Sequence, residues 1–172
     1  MTETAVGELL VNSLFNAVSK SFEDVVGLLN DEASFEEKSE IDPEEGYPFL
    51  LITLTGNICF IPKYFDSGQD KRIIEYIISY ASDVLQIEKK QLAQDISECK
   101  KQMSRINYPS KNTVYAMSKA VFYRYDLNEY QEKYFQTLRV PNPKFLQHMD
   151  EVNKLFIFNW KALFEKYKVV EK

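Results

Sequence analysis

The run Pro48–Phe65, PFLLITLTGNICFIPKYF, is the most apolar stretch of the chain, and Gly56-Asn57 lies at its centre. Three structures compete for it: a membrane span, a buried helix and a hairpin. Its apolar heart, the thirteen residues Phe49–Ile61, falls short of the roughly 20 that a transmembrane helix needs. A helix requires Gly56 to serve as its terminating residue. The residues on either side are rich in β-branched and aromatic types, and a Gly-Asn pair supplies the positive φ of a two-residue hairpin turn. Thr55 then pairs with Ile58, Leu54 with Cys59, and Thr53 with Phe60, while Pro62 ends the second strand because it cannot donate to a ladder. Apolar side chains fall on both faces of that hairpin, so helices must cover both sides. The sequence therefore predicts a mostly α (α+β) fold, a single helical domain over residues 1–172 with a hairpin at about 50–61 packed between helices. The alternative is all-α.

Outside that run the periodicity is helical. Val6, Leu10, Leu14, Val18 and Phe22 recur every four residues and continue through Val25, Val26 and Leu29, which predicts a helix over 4–30 with Thr2 or Thr4 as its cap. Residues 31–45 change character. They are crowded with Asp and Glu around a single lysine, Lys38, and read as a solvated, mobile linker. The run has no central glycine and no ligand rhythm of a calcium loop. Residues 70–106 read as helix throughout. A straight helix of that span would be about 55 Å long, beyond the roughly 40 Å diameter of a compact domain of this size. A break is expected in the polar Gln86–Gln91 segment. Asn107-Tyr108-Pro109-Ser110 stops that helix, and Ser110 or Asn112 caps the next, which reaches Tyr125 and continues helically to Val140. Asn142-Pro143 starts the last helix, predicted to run to about Val169. Within it Leu155-Phe156-Ile157-Phe158 is apolar all round.

The net charge of −5 conceals a split. Residues 1–99 carry 7 Lys/Arg against 19 Asp/Glu, giving −12, and residues 100–172 carry 14 against 7, giving +7. Two outcomes follow: the halves neutralise each other on packing, or a dipolar surface persists. The basic half also holds 14 aromatic residues from Tyr108 onward. Tyr, Trp and Arg carry much of the energy of protein interfaces.

Catalytic patterns are absent. His148 is the sole histidine, which removes two-histidine metal sites and makes it the only base for a nucleophilic triad. The one thiol it could activate in an apolar setting, Cys59, lies where a thiolate is disfavoured. The five glycines are scattered and make no phosphate loop. No cofactor or metal is expected. Cys59 and Cys99 fit two reduced thiols and a cytoplasmic location. The chain opens MTETAVGELL, without the basic start of a secretory signal, and no membrane partner is expected.

The function these features favour is a non-enzymatic protein-interaction module: an adaptor, a regulator or a neutralising partner that works by electrostatic steering and aromatic anchoring. The candidate binding residues are Tyr123, Tyr130, Tyr134, Phe158 and Trp160 as anchors, with Arg124 and Arg139 as positive contacts. The partner is another protein, with a homodimer permitted by the dipolar surface. One alternative is a nucleic-acid-associated regulator that uses the basic half, where tyrosines alternate with cations. Another is an enzyme with an unrecognised carboxylate or metal site.

Overall fold

The structure is a computed structural model and describes residues 1–171. Among them are eight α-helices: α1 (Glu3–Asn30), α2 (Tyr47–Phe60), α3 (Gln69–Leu85), α4 (Lys89–Asn107), α5 (Thr113–Arg124), α6 (Lys133–Leu138), α7 (Pro143–Lys154) and α8 (Trp160–Lys166). No β-hairpin forms. The only strand-like pairings among the described residues are two isolated bridges, Thr2 with Val170 and Phe35 with Gln131. None of the helices is long and apolar enough to cross a membrane.

The expected hairpin is α2, the central helix of the fold. It packs against α1, α4 and α5, and every residue from Leu51 to Ile58 is buried. A helix enclosed on all sides has no amphipathic period, because every face needs apolar side chains. Burial in this tertiary setting overrides the strand preference of Ile and Thr. Gly56 is a packing residue and not a turn. A Cβ there would lie closer to Met117 Sδ of α5 than real contacts allow, with Met117 Cγ and Cε at 3.0 Å.

Asn57 is a polar clamp inside the core. Its Nδ2 donates to Thr53 O and Phe156 O, both at 2.8 Å, and its Oδ1 accepts from Phe158 N at 2.8 Å. These bonds take backbone groups that a continuous helix would use itself. The expected single helix over 142–169 is consequently two, α7 and α8, joined through Leu155–Asn159. Asn159 then caps α8 by accepting from Ala162 N.

Other boundaries follow local chemistry. Thr2 caps α1 by accepting from Ala5 N. The long helical region breaks between α3 and α4, with Gln86 left-handed at φ 54°. The stretch after α5 is not continuous helix: Asp126 is left-handed, Leu127–Tyr130 forms a 3-10 turn, and α6 is a separate short helix. Residues 31–45, expected to be mobile, are a strap tied to the body. Ser39 Oγ donates to Leu29 O and Asn30 Oδ1, and Ile41 N donates to Asn30 Oδ1. Glu36 N donates to Tyr130 O, and the Phe35 ring stacks on Phe145 at 5.5 Å. One aromatic and one buried isoleucine, Ile41, anchor a segment whose composition alone reads as solvated.

Candidate functional site

The α4–α5 hairpin gathers positive charge. Between Glu98 and Asp126 the chain has no acid and six cations: Lys100, Lys101, Arg105, Lys111, Lys119 and Arg124. The inner stripe of α4, Leu92, Ile96, Cys99 and Met103, is buried. That stripe turns Lys101 and Arg105 outward, one helical turn apart. Lys119 and Arg124 project from α5 toward α4. Lys119 Nζ lies 4.3 Å from the Tyr115 ring centroid and donates to Ile106 O, and Arg124 Nε donates to Gln102 Oε1 at 2.8 Å. Burial pushes the Lys119 ammonium below its usual range. The hairpin tip is closed by Asn107 Nδ2, which donates to Ser110 O and Asn112 O, and by Asn112 Oδ1, which caps α5 at Tyr115 N. At that tip Tyr108 is 84% exposed between Arg105 and Lys111.

None of these six cations makes an ion pair among the described residues. The pairing pattern goes further. No lysine or arginine of residues 100–171 pairs with a carboxylate of residues 1–99; Lys154 pairs with Glu151 and Lys161 with Glu165. The contacts that do cross between the halves, Arg72 with Glu171 and His148 with Glu32, leave the lysines and arginines of the second half unneutralised by the acids of the first.

The candidate anchors do not form one patch. Tyr123, Tyr130, Tyr134 and Arg139 fall in the lobe around α6. Tyr123 Oη donates to Arg139 O at 3.1 Å, and burial raises the Tyr123 phenol. Tyr130 packs on Phe35 of the strap. Tyr134 is exposed beside Leu138 and Val140. No residue of α6 is buried, and side-chain amides hold the lobe: Asn128 Nδ2 donates to Gln136 O, and Gln131 Nε2 to Val140 O. Arg124 faces α4, away from that lobe. Trp160 is only 2% exposed and belongs to an aromatic cluster with Tyr64, Phe65 and Phe158. Its ring is core and offers no contact surface, and Phe158 is half-buried against it.

A second feature was not visible in the sequence. A cleft of about 380 Å³ opens between the end of α1 and α7, floored by Leu29, Phe145, Met149 and Val152. Leu28 forms its lip and is 60% exposed. Asp31, Glu32, Glu151 and His148 rim it. Glu32 Oε1 accepts from Ser34 N and Oγ and lies 2.7 Å from His148 Nδ1. The one sequence sign of the cleft is Leu28 itself, an apolar residue off the α1 stripe and next to the acids.

His148 therefore meets a carboxylate and no nucleophile. Cys59 and Cys99 are free thiols whose pKa values burial pushes up. No group of three or more metal-ligating side chains occurs among the described residues. No family model matches the chain, and neither does a curated protein or a solved structure.

Proposed function

We propose that this chain is a protein-interaction module whose basic α4–α5 hairpin docks on an acidic surface of a partner protein. The observation that carries this reading is the cation set Lys100–Arg124, which makes no ion pair among the described residues although the chain carries 26 acids. Exposed ion pairs contribute only about 0.2–1 kcal/mol each, so stability does not demand that these charges be neutralised. Left free, they steer an acidic partner toward the face and raise the association rate. Tyr108 at the tip, and Tyr134 with Arg139 on the α6 lobe, are the exposed members that fit anchoring roles. A cytoplasmic setting fits the two free thiols.

The test is affinity purification of the tagged protein at low salt, with and without nuclease, beside Lys101→Glu/Arg105→Glu/Lys111→Glu. A stoichiometric protein that survives nuclease and is lost in the variant supports the reading. A partner retained by the variant refutes the hairpin as the contact.

One observation favours a second reading, in which the same face binds nucleic acid. Cations alternate with Tyr108 and Tyr115, the pattern of a stacking groove. In that case nuclease releases the partners, and oligonucleotide affinity falls steeply with salt.

A further inference from the structure

We propose that the basic tip of the α4–α5 hairpin docks into the acid-rimmed cleft between α1 and α7 of a second copy of this chain, so that the protein assembles head to tail. The inference rests on the interaction reading above and names one partner for it.

Three observations converge. The first is complementarity of chemistry. The tip presents one projecting ring, Tyr108, flanked by Arg105 and Lys111, while the cleft has an apolar floor of Leu29, Phe145 and Met149 under a rim of carboxylates. The strap beside the cleft deepens that field, with eight acids against one lysine between Asp31 and Glu45. The second is availability. Glu32 is held by His148 and Ser34 and stays in place, but the other two rim pairs, Lys38–Asp31 and Lys154–Glu151, are exposed on both sides, and exposed pairs are weak enough to exchange for incoming Arg105 and Lys111. Leu28 stands uncovered at the lip, and Tyr108 projects with most of its surface in solvent. The third is placement. The α7 wall of the cleft runs from Phe145, packed on Phe122 near the C-terminal end of α5, to Glu151 and Val152, beside Asp150 and Asn153, which bond Ser118 near the middle of α5. The tip lies beyond the N-terminal end of α5. Among the described residues no hydrogen bond or ion pair joins Arg105, Tyr108 or Lys111 to the cleft of the same molecule, so both surfaces are open to a second copy.

Because the two surfaces differ, the contact is heterologous. It adds copies in a line instead of closing a two-fold dimer. A nucleic acid does not fit the cleft, whose rim repels it. A basic helix from another protein would fit the rim equally well, and the experiment separates the two.

The experiment is sedimentation of the purified full chain at low and at high salt. Two variants change only exposed residues: Arg105→Ala/Tyr108→Ala at the tip, and Leu28→Lys/Glu151→Lys at the cleft. The expected result is a weight-average mass that rises from 20.2 kDa with concentration, without a plateau at dimer, and that collapses in high salt. Each variant alone stays monomeric. Mixed in equal amounts they form a capped pair of twice the monomer mass, because each retains the surface the other lacks. Circular dichroism and thermal melting of both variants verify that they fold.

A wild type that stays monomeric at every concentration overturns the proposal, and so does self-association that survives either variant or a mixture that fails to pair. The interaction reading fails separately, when the hairpin charge-reversal variant still captures its nuclease-resistant partner. If wild type is monomeric but hairpin reversal abolishes partner capture, the head-to-tail contact is wrong and the interaction face stands.

Discussion

Replacing Gly56 with alanine tests the central helix directly, because its effect should change sign with the residue opposite. In an exposed helix Gly→Ala stabilises by about 0.8–1 kcal/mol. Here the added methyl enters the space of Met117, whose side chain is fully buried and whose Cγ, Sδ and Cε all lie at or inside 3.0 Å of the new carbon. Overpacking of that kind costs about 1–3 kcal/mol. The balance is a net destabilisation of roughly 0–2 kcal/mol for Gly56→Ala in the wild-type background. Met117→Ala alone should cost about 2–5 kcal/mol, as other large-to-small core changes do. In the Met117→Ala background the clash is gone and the methyl partly fills the cavity. Gly56→Ala should then stabilise, by about 1 kcal/mol from helix propensity alone. The assay is urea unfolding followed by far-ultraviolet circular dichroism for the four proteins of the cycle. A Gly56→Ala effect of the same sign and size in both backgrounds would refute the α2–α5 contact. A Gly-Asn hairpin turn predicts that result, since a turn glycine is costly to replace whatever stands at position 117.

Four other outcomes follow from the same contacts. Asn57→Leu leaves the Phe158 N–H and the Phe156 carbonyl without their partner inside the core. It should cost roughly 2–4 kcal/mol, read as a lower urea midpoint. Tyr125→Phe removes the hydroxyl that donates to Glu45 O and accepts from Phe49 N at the start of α2, for about 1 kcal/mol in the same assay. Burial raises the phenols of Tyr47 (to about 12), Tyr123 and Tyr125 in the folded state. Their contribution is complete below the unfolded value near 10 and is lost as pH climbs above it, so Tyr125→Phe should flatten the alkaline limb of a stability–pH profile. At the acid end, the Arg72 guanidinium holds the Glu3 carboxyl below its usual 4.5. That contribution is present above 4.5 and lost as pH falls below it, so Glu3→Gln should flatten the acid limb.

The elements legible in the sequence were those with one wet face. The stripes of α1 and α4 repeat because their opposite faces meet water, and their caps and stops stand in the sequence beside them. The run 48–62 misled because burial on every side erases the period, leaving only local preference, and Gly-Asn locally prefers a turn. The break between α7 and α8 was hidden for a different reason. Its cause is the Asn57 side chain, about a hundred residues earlier in the chain. The strap looked mobile because one half-buried aromatic, Phe35, and one buried isoleucine, Ile41, weigh little against so many acids in a composition. Of the candidate site, only the basic half was readable as a charge count; that six of its cations gather on the α4–α5 hairpin was not. The scatter of the aromatic anchors and the cleft were not, since both depend on which remote elements meet.

The persistence of the charge split is the feature that most constrains function. A net charge of −5 suggests a mildly acidic molecule, but a partner does not meet the net charge. At physiological ionic strength the Debye length is about 8 Å, and α5 alone spans about 18 Å between the hairpin tip and Tyr125, whose hydroxyl donates to Glu45 O of the strap. The strap and the hairpin tip therefore act as separate fields of opposite sign, with Arg124 the one hairpin cation next to the strap. Folding could have cancelled them by laying the strap across the α4–α5 face. Instead Phe35 and Ser39 tie the strap to the α6 lobe and the end of α1. Those ties hold the strap mainly through apolar packing and neutral hydrogen bonds, beside the one contact between Glu32 and His148 of α7. Phe35→Ala should accordingly loosen residues 31–38, seen as faster amide exchange, while leaving α1–α5 protected. Salt should not reproduce that loosening, because the aromatic contact is not electrostatic. Should salt alone release the strap, its placement would be electrostatic after all, and the two charge fields would not be independent.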